Sequence, residues 1–191
     1  CDVSHSKRLS LAKDLFLLSF YLGGINFADL IQINFSENDI EYKRQKSKDH
    51  KRKNRATRLN IIPEVRQIIN KYITPNGMLD FGYSYTQKNL QCYINTCMKL
   101  LAKELHIENS LTYYSARKTF AQFAAEIGIP YPVIEYCLGH SIKTGITINV
   151  YVKVKQQQAD AAIKRVVEYV QNPAIFKDYI NLRAQMQMMM L

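Results

Sequence analysis

The sequence predicts a mainly α-helical domain with one small antiparallel β-sheet. Apolar residues recur at helical spacing along most of the chain, as at Leu11, Leu15, Leu18 and Leu22. Apolar and polar residues alternate in strand fashion only between residues 40 and 61. The chain has 191 residues, of which 47% are hydrophobic and 22% charged, values that suit one globular domain with a core.

The first two helices are separated by a glycine pair. The apolar segment Leu15–Leu22 is too short to cross a bilayer and is interpreted as a buried helix. Gly23 and Gly24 close it, since glycine readily adopts the left-handed conformation of a helix C-cap. Asn26 resembles an N-cap, and Asp29 supplies an acid in the first turn, so a short second helix is predicted there.

A β-hairpin and a third helix come next. Residues 40–44 and 57–61 predict the two strands of a long hairpin with a polar tip. Pro63 is suited to the first turn of a helix. The apolar face of that helix consists of Val65, Ile68, Ile69 and Tyr72. Residues 74–84 are rich in turn formers and connect it to the rest of the chain.

Four more helices are predicted after residue 84, the second of them beginning near Thr112 and the third running from Pro132 to Leu138. Gly139 closes the third helix, and the sequence Asn172-Pro173 stops the fourth. The apolar positions of the other three are Leu90, Ile94, Cys97, Leu101 and Leu105; Phe120, Phe123, Ala124 and Ile127; and Ala159, Ala162, Ile163, Val166, Val167 and Val170.

Residues 172–191 are expected to form a C-terminal tail outside the main domain at 1–171. The tail is rich in apolar side chains that would be unusual if left in water. These are Ile175, Phe176, Tyr179, Ile180 and the run Met188–Leu191. Three arrangements remain open: the tail docks on its own domain, docks on a neighbouring protomer, or is disordered.

The positive charge is concentrated in the hairpin. The net charge is +10, and nine basic residues opposed only by Asp49 lie between residues 43 and 58, which gives 9 − 1 = +8 there. Such runs are commonly solvated hairpin tips, but a basic protruding ribbon also suits a phosphate backbone. A membrane surface is less favoured because it would call for a basic amphipathic helix. Nucleic acid, DNA or RNA, is therefore favoured, and its binding, DNA binding in particular, is assigned to Lys43, Arg44, Lys48, Lys51, Arg52, Lys53, Arg55 and Arg58, and to Lys118.

The four cysteines indicate reduced thiols in a cytosol. Cys1, Cys92, Cys97 and Cys137 match neither a metal motif nor a dense disulfide framework. No signal peptide is visible in the sequence. The chain begins at Cys1 rather than at a methionine, so we expect it to be part of a longer protein.

Three residues downstream carry the chemistry of phosphodiester cleavage without a metal. Arg117 lies near the start of a predicted helix, His140 follows the end of the next one, and Tyr151 comes after it. A guanidinium can grip phosphate oxygens, an imidazole can handle protons, and a phenol can act as nucleophile. Taken singly, each residue has an ordinary alternative role. The arginine can pair with an internal carboxylate, and the histidine can interact with the end of its helix. The tyrosine is one of 13 in the chain, so its position alone does not mark it as a nucleophile.

Together these residues resemble the catalytic domain of the tyrosine recombinases, the phage-integrase superfamily, and most of all the integrases of mobile elements in Bacteroides-like bacteria. The resemblance covers roughly residues 8–170. Its motifs are the opening helix and box I at Leu9–Asp29, the lysine-bearing strand at Tyr42–Ser47, box II at Tyr113–Phe120, the Leu-Gly-His signature at Leu138–His140, and the nucleophile position at Tyr151.

The resemblance implies a site-specific DNA recombinase that acts through a 3′-phosphotyrosyl intermediate, with the catalytic-core fold of that family. Its catalytic set would be Tyr151, Arg117, His140, Lys46 and Tyr114. The implied partners are double-stranded DNA and further copies of the chain in a tetrameric synapse, with neither a metal, a cofactor nor a membrane. A bacterial cytoplasmic protein associated with the nucleoid is expected.

The chain departs from the family pattern at three points. Asn26 stands where box I has an arginine, Tyr114 stands where a histidine is usual, and the interval from His140 to Tyr151 is longer than typical. Two hypotheses follow: an active recombinase, or a recombinase-fold DNA-binding protein with weak or no cleavage. If positive charge is limiting, Asn26→Arg is expected to raise cleavage.

Overall fold

The computed structural model describes residues 2–45, 56–84, 86–140 and 154–189, and it confirms a mostly helical domain with a two-stranded antiparallel sheet. A 3₁₀ turn at Pro173–Phe176 joins the last two helices. The described elements are, in chain order, α1 (Lys7–Tyr21), α2 (Phe27–Leu30), β1 (Asp39–Tyr42), β2 (Thr57–Asn60), α3 (Pro63–Ile69), α4 (Gln87–Glu104), α5 (Tyr113–Glu126), α6 (Tyr131–Cys137), α7 (Gln156–Gln171) and α8 (Lys177–Met189).

Helix α1 lies at the centre of the bundle and packs against α3, α4 and α5. Its Leu15 and Leu18 side chains are fully buried. Gly23 and Gly24 follow the helix with φ angles of +70° and +79°, which confirms the predicted glycine ending. The two glycines turn the chain so that the segment before α2 passes beside α5.

The sheet is attached to the side of the bundle by α7. Strand β1 pairs antiparallel with β2, and Tyr42 lies opposite Thr57 at the end that leads to the hairpin tip. The Asp160 carboxylate accepts hydrogen bonds from the backbone and the side chain of Asn60 at 2.8 and 2.7 Å. Near the other end of the strand pair the Arg58 N–H donates to the Tyr136 hydroxyl at 3.1 Å, which ties this end of the sheet to α6.

Helices α5 and α6 begin and end as the sequence predicts. At the start of α5, Thr112 and Ser115 form a reciprocal capping box, with the Thr112 N–H donating to Ser115 Oγ at 3.0 Å. Gly139, with φ of +65°, ends α6. Helix α3 is shorter than predicted. It ends at Ile69, and Tyr72 lies in the turn beyond it.

The described part of the C-terminal tail is helical and contacts its own domain. Phe176 is buried, with its ring centroid 5.4 Å from that of Tyr169 on α7. Arg183 donates from Nη1 to the carbonyl oxygen of Ala125 at the end of α5. On α8, in contrast, Leu182 and Met186 leave 56% and 57% of their surface exposed.

Candidate active site

Arg117 is a buried cation held by the ends of two other helices. It lies in the second turn of α5 and is only 3% exposed. Its Nη1 donates to the Gly24 carbonyl at 2.7 Å, and its Nη2 donates to the Leu138 carbonyl at 2.7 Å. The first carbonyl follows α1 and the second caps α6, so a single side chain ties three helices together.

No carboxylate balances this charge within the described part of the chain. The close contacts found there between basic and acidic side chains join His5 to Glu104, Arg58 to Glu41, Lys71 to Asp14 and His140 to Glu135. Burial, followed by the nearby positive charge of Arg44, lowers the pKa of Arg117. An internal carboxylate partner, one of the two sequence-based alternatives, is therefore not found among residues 2–45, 56–84, 86–140 and 154–189.

Gly24 is required by the close approach of α5. A Cβ atom placed on it would lie 3.0 Å from both the Cα and the Cγ of Arg117. Its φ of +79° is also in the region that side chains with a Cβ rarely adopt. Any larger residue would push the Gly24 carbonyl away from the guanidinium that it holds.

His140 contacts Arg117 on one side of its ring and Glu135 on the other. Its Nε2 lies 2.8 Å from Arg117 Nη2, and its Nδ1 lies 3.1 Å from both carboxylate oxygens of Glu135. A guanidinium only donates, so Nε2 is the acceptor and Nδ1 carries the proton that goes to Glu135. The contacts thus define a neutral imidazole in a single tautomer.

The surroundings of His140 favour this neutral form. Burial lowers the pKa of the imidazole, and the charges of Arg117 and Arg44 act in the same direction. The hydrogen bond to Glu135 opposes them without reversing the shift. Near pH 7 the ring therefore keeps a lone pair on Nε2, the atom turned towards Arg117.

Tyr114 lies at the solvent-exposed edge of the site. It occupies the second position of α5, and half of its surface is accessible. Its hydroxyl acts on Arg117 as a hydrogen-bond partner that raises the pKa of the guanidinium. Lys118 Nζ lies 5.8 Å from the centre of the Tyr114 ring, which places that amine on the same exposed side of α5.

Arg44 also belongs to this cluster, and its position there was not predicted from the sequence. The sequence placed it among the DNA-binding residues of the hairpin, whereas the structure brings its guanidinium against the side chain of Asn26. The hydrogen-bond network orients the Asn26 amide oxygen towards Arg44, and it accepts from Nε at 3.2 Å and from Nη2 at 3.3 Å. Asn26 does occupy the N-cap position of α2, as predicted, but its side chain makes no capping hydrogen bond.

Other predicted site residues lie apart from this cluster or outside the described ranges. Lys43 is exposed directly after β1, and Arg58 on β2 is paired with Glu41 at 2.6 Å. The predicted residues that fall outside the described ranges are Lys46, Lys48, Lys51, Arg52, Lys53, Arg55 and Tyr151. The cluster that can be described is therefore the one formed by Arg117, His140 and Arg44.

Two further searches cover only the described residues. Among them no group of three or more histidine, cysteine or acidic side chains could hold a metal ion. Across the same ranges every helix is too short or too polar to cross a membrane.

Comparisons with known proteins support the fold. No protein family and no curated protein matches the sequence. Among solved structures, an integrase from a mycobacterium phage, Brujita, superposes with a TM-score of 0.57 at 15% identity, covering 84% of this chain and 52% of that one. The match to the structure of the XerA recombinase covers 84% of this chain and 62% of that one, with a TM-score of 0.45 at 18% identity.

The chain therefore has the catalytic-core fold of the tyrosine recombinases, as the sequence predicts. It spans about half the length of the phage integrase that it matches. At this level of identity the likeness defines the fold and leaves the activity to be argued from the site.

Proposed function

We propose that the chain is the catalytic domain of a site-specific DNA recombinase that cuts and rejoins strands through a 3′-phosphotyrosyl intermediate, at the ends of a mobile element. The observation that supports this most is Arg117, a buried guanidinium whose hydrogen-bond partners among the described residues are all neutral acceptors. A buried charge without a counter-charge is costly, and a phosphate diester would supply one. The two carbonyls and the imidazole take three of its five N–H groups and the Tyr114 hydroxyl is a fourth partner, so one N–H remains for an anion.

In the proposed reaction, the hydroxyl of Tyr151 attacks the scissile phosphorus. The bond from the tyrosine oxygen to phosphorus forms while the bond from phosphorus to the 5′ oxygen breaks, and Lys46 gives the leaving oxygen its proton. A 5′ hydroxyl from another strand then attacks the phosphotyrosine, which reverses the step and releases Tyr151. Bond energy is conserved, so neither ATP nor a metal is consumed.

The described residues would act on the phosphate itself. Arg117 donates to a non-bridging oxygen, and stabilisation of such developing charge is commonly the largest catalytic contribution. His140, held neutral with its Nε2 lone pair towards Arg117, can accept the proton that the Tyr151 hydroxyl loses in the attack, once Arg117 turns an N–H to the phosphate. Glu135 fixes the tautomer that makes this possible.

One observation favours a second function, a DNA-binding protein of the same fold with little or no cleavage. Asn26 carries no charge at the position where the resemblance expects an arginine. Loss of one such contact can reduce a rate by about 10²–10³. A regulator or architectural subunit would tolerate that loss.

A nicked suicide duplex carrying the end of the encoding element separates the two functions. We expect the full-length protein to form a covalent protein–DNA adduct on denaturing gels, and Tyr151→Phe to abolish it while DNA retardation stays unchanged. Retardation without any adduct from the wild-type protein would establish the DNA-binding function instead. An adduct that persists in Tyr151→Phe would show that another residue is the nucleophile.

We also propose that the protein works on double-stranded DNA as a homo-oligomer, with residues 172–191 as a docking segment distinct from the catalytic domain at 1–171. The support is the exposed apolar side of α8, formed by Leu182 and Met186. Serine at both positions is expected to reduce assembly on DNA in sedimentation experiments. Unchanged assembly would remove this role from the tail.

A further inference from the structure

Box I lacks its arginine at Asn26, yet a second guanidinium is present at that position in space. Asn26 comes two residues after Gly24, whose carbonyl oxygen binds Arg117. Arg44 reaches the same place from the end of β1, and its guanidinium lies 3.2 and 3.3 Å from the Asn26 amide oxygen. The missing charge is thus replaced from a different element.

The geometry of this contact leaves Arg44 free to bind an anion. Asn26 takes the Nε–H and one Nη2–H, which together form one edge of the guanidinium. Among the residues that the structure describes, none takes a hydrogen bond from the opposite edge, with the Nη1 hydrogens and the second Nη2 hydrogen. That edge has the paired donors that bind two phosphate oxygens at once. In the described ranges no carboxylate forms an ion pair with Arg44.

The backbone on both sides of Arg44 is fixed. Two residues before it, the Tyr42 ring is buried in the core. One residue after it, the Gln45 N–H donates at 2.8 Å to Asp29 Oδ1, and Asp29 is itself only 5% exposed. A half-buried side chain between two such anchors loses little further freedom when it binds a ligand, which favours catalysis by preorganised charge.

The charge of Arg44 acts directly on the other two groups of the site. It lowers the pKa of Arg117 and also that of His140. Two guanidinium groups therefore lie close enough to repel each other, around an imidazole that is kept neutral. Binding of an anion between them would relieve that repulsion.

We propose that Arg44 is a catalytic residue, the second phosphate-binding cation of this site, and that Asn26 is its positioning residue. The proposal rests on the recombinase function above. It also revises the expectation for Asn26→Arg: a second guanidinium at position 26 would remove the acceptor of Arg44 and repel it, so this substitution in the otherwise native chain would not raise cleavage.

The test is single-turnover cleavage of the nicked suicide duplex at saturating full-length protein. Arg44→Ala is expected to slow adduct formation by about 10²–10³, the effect of losing one charge-stabilising contact. Lys99→Ala is the matched control, because it removes one positive charge from an exposed position on α4. Wild-type rates in Arg44→Ala would overturn the proposal. No adduct from the wild-type protein would instead overturn the proposed function.

A methylphosphonate at the scissile position distinguishes catalysis from DNA binding or folding. Replacing one charged oxygen by methyl removes the need to neutralise it, so Arg44→Ala is expected to cleave this neutral diester within about tenfold of the wild-type rate. An equally large defect on both substrates would show that Arg44 acts through folding or binding, and would overturn the catalytic role.

The double variant Asn26→Arg with Arg44→Ala tests the exchange of positions. It places one guanidinium in the site from box I, and it is expected to cleave at least tenfold faster than Arg44→Ala. Asn26→Arg alone is expected to cleave no faster than wild type. A gain from Asn26→Arg in the native background, with none in the Arg44→Ala background, would contradict the shared role.

Discussion

The two arginines of the site are held in opposite ways. Arg117 is buried, and it is fixed by two backbone carbonyls and an imidazole that come from two segments, one after α1 and one at the end of α6. Arg44 is half-buried at a strand end, and one side-chain amide orients it. The first cation is part of the core of the domain, whereas the second can be exchanged without disturbing the core.

Because of this difference, substitutions of the two arginines should affect stability and cleavage differently. Changing Arg117 leaves two buried carbonyls without a donor, at about 1–3 kcal/mol for each. Changing Arg44 leaves one half-buried amide, that of Asn26, without this partner. Variants at the first position should therefore lose folding and cleavage together, and variants at the second should lose cleavage alone.

The largest effect is expected for Arg117→Lys. A lysine keeps the charge but cannot reach Gly24 and Leu138 at the same time, since an ammonium lacks the planar fork. We expect adduct formation to fall by about 10³ and the urea midpoint to drop, while retardation of DNA persists. A variant with a normal midpoint and normal cleavage would show that the two carbonyl contacts do not matter.

The second-largest effect is expected for Gly24→Ala, which tests the contact between Arg117 and the Gly24 carbonyl. Alanine there combines an unfavourable φ with a Cβ 3.0 Å from the α5 backbone, so the free energy of unfolding should fall by about 2–5 kcal/mol. Gly82→Ala is the control, because its φ of +72° is similar but nothing lies within 4 Å of the added carbon.

The control should lose only the conformational part, about 1 kcal/mol, in urea unfolding. The difference between the two variants then measures the close approach of α5 to the end of α1. Equal losses would mean that this approach adjusts without cost.

The smallest effect is expected for Glu135→Gln, which tests the neutral His140 between the two cations. Glu135 raises the pKa of His140, against the larger lowering effect of burial. Without its charge the pKa falls further, so the acid limb of cleavage against pH should move to lower pH. Glu108→Gln, at an exposed acid, should leave the limb in place.

The lowered pKa of His140 should also make the stability of the fold depend on pH. The folded pKa of His140 lies below the free value of 6.5, so the unfolded chain binds more protons between these two values. The free energy of unfolding should therefore decrease as pH falls from about 6.5 through the folded pKa, and Glu135→Gln should carry that decrease to lower pH. A decrease at higher pH would show that Glu135 stabilises His140 in some other way.

Much of the fold could be predicted because its signals are local. The helical spacing of Leu11, Leu15 and Leu18 follows from 3.6 residues per turn, and it requires no knowledge of what the helix packs on. Gly139 and Thr112 mark helix ends through their own backbone and hydroxyl groups. The end of α3 was missed at Tyr72, where a partly buried side chain continues the apolar pattern beyond the helix.

The candidate site could be predicted only in part. Arg117 and His140 were proposed as site residues from their order along the chain and Tyr114 from the family resemblance, and the structure places the three side by side. The position of Arg44 beside Asn26 could not be predicted, because a basic run offers many equivalent cations and sequence does not tell which one turns inward. The absence of an arginine at position 26 was the only sequence signal that one of these cations should turn inward.

By itself, the sequence determined the helices, the hairpin and the order of the groups that suit phosphate chemistry. These features depend on backbone propensity and on neighbours within a few residues. Only the tertiary structure decided the partners of Arg117, which lie 93 and 21 residues away along the chain, and the contact between Arg44 and Asn26. Such contacts depend on how whole elements pack, and no local pattern encodes the distance between two side chains from different elements.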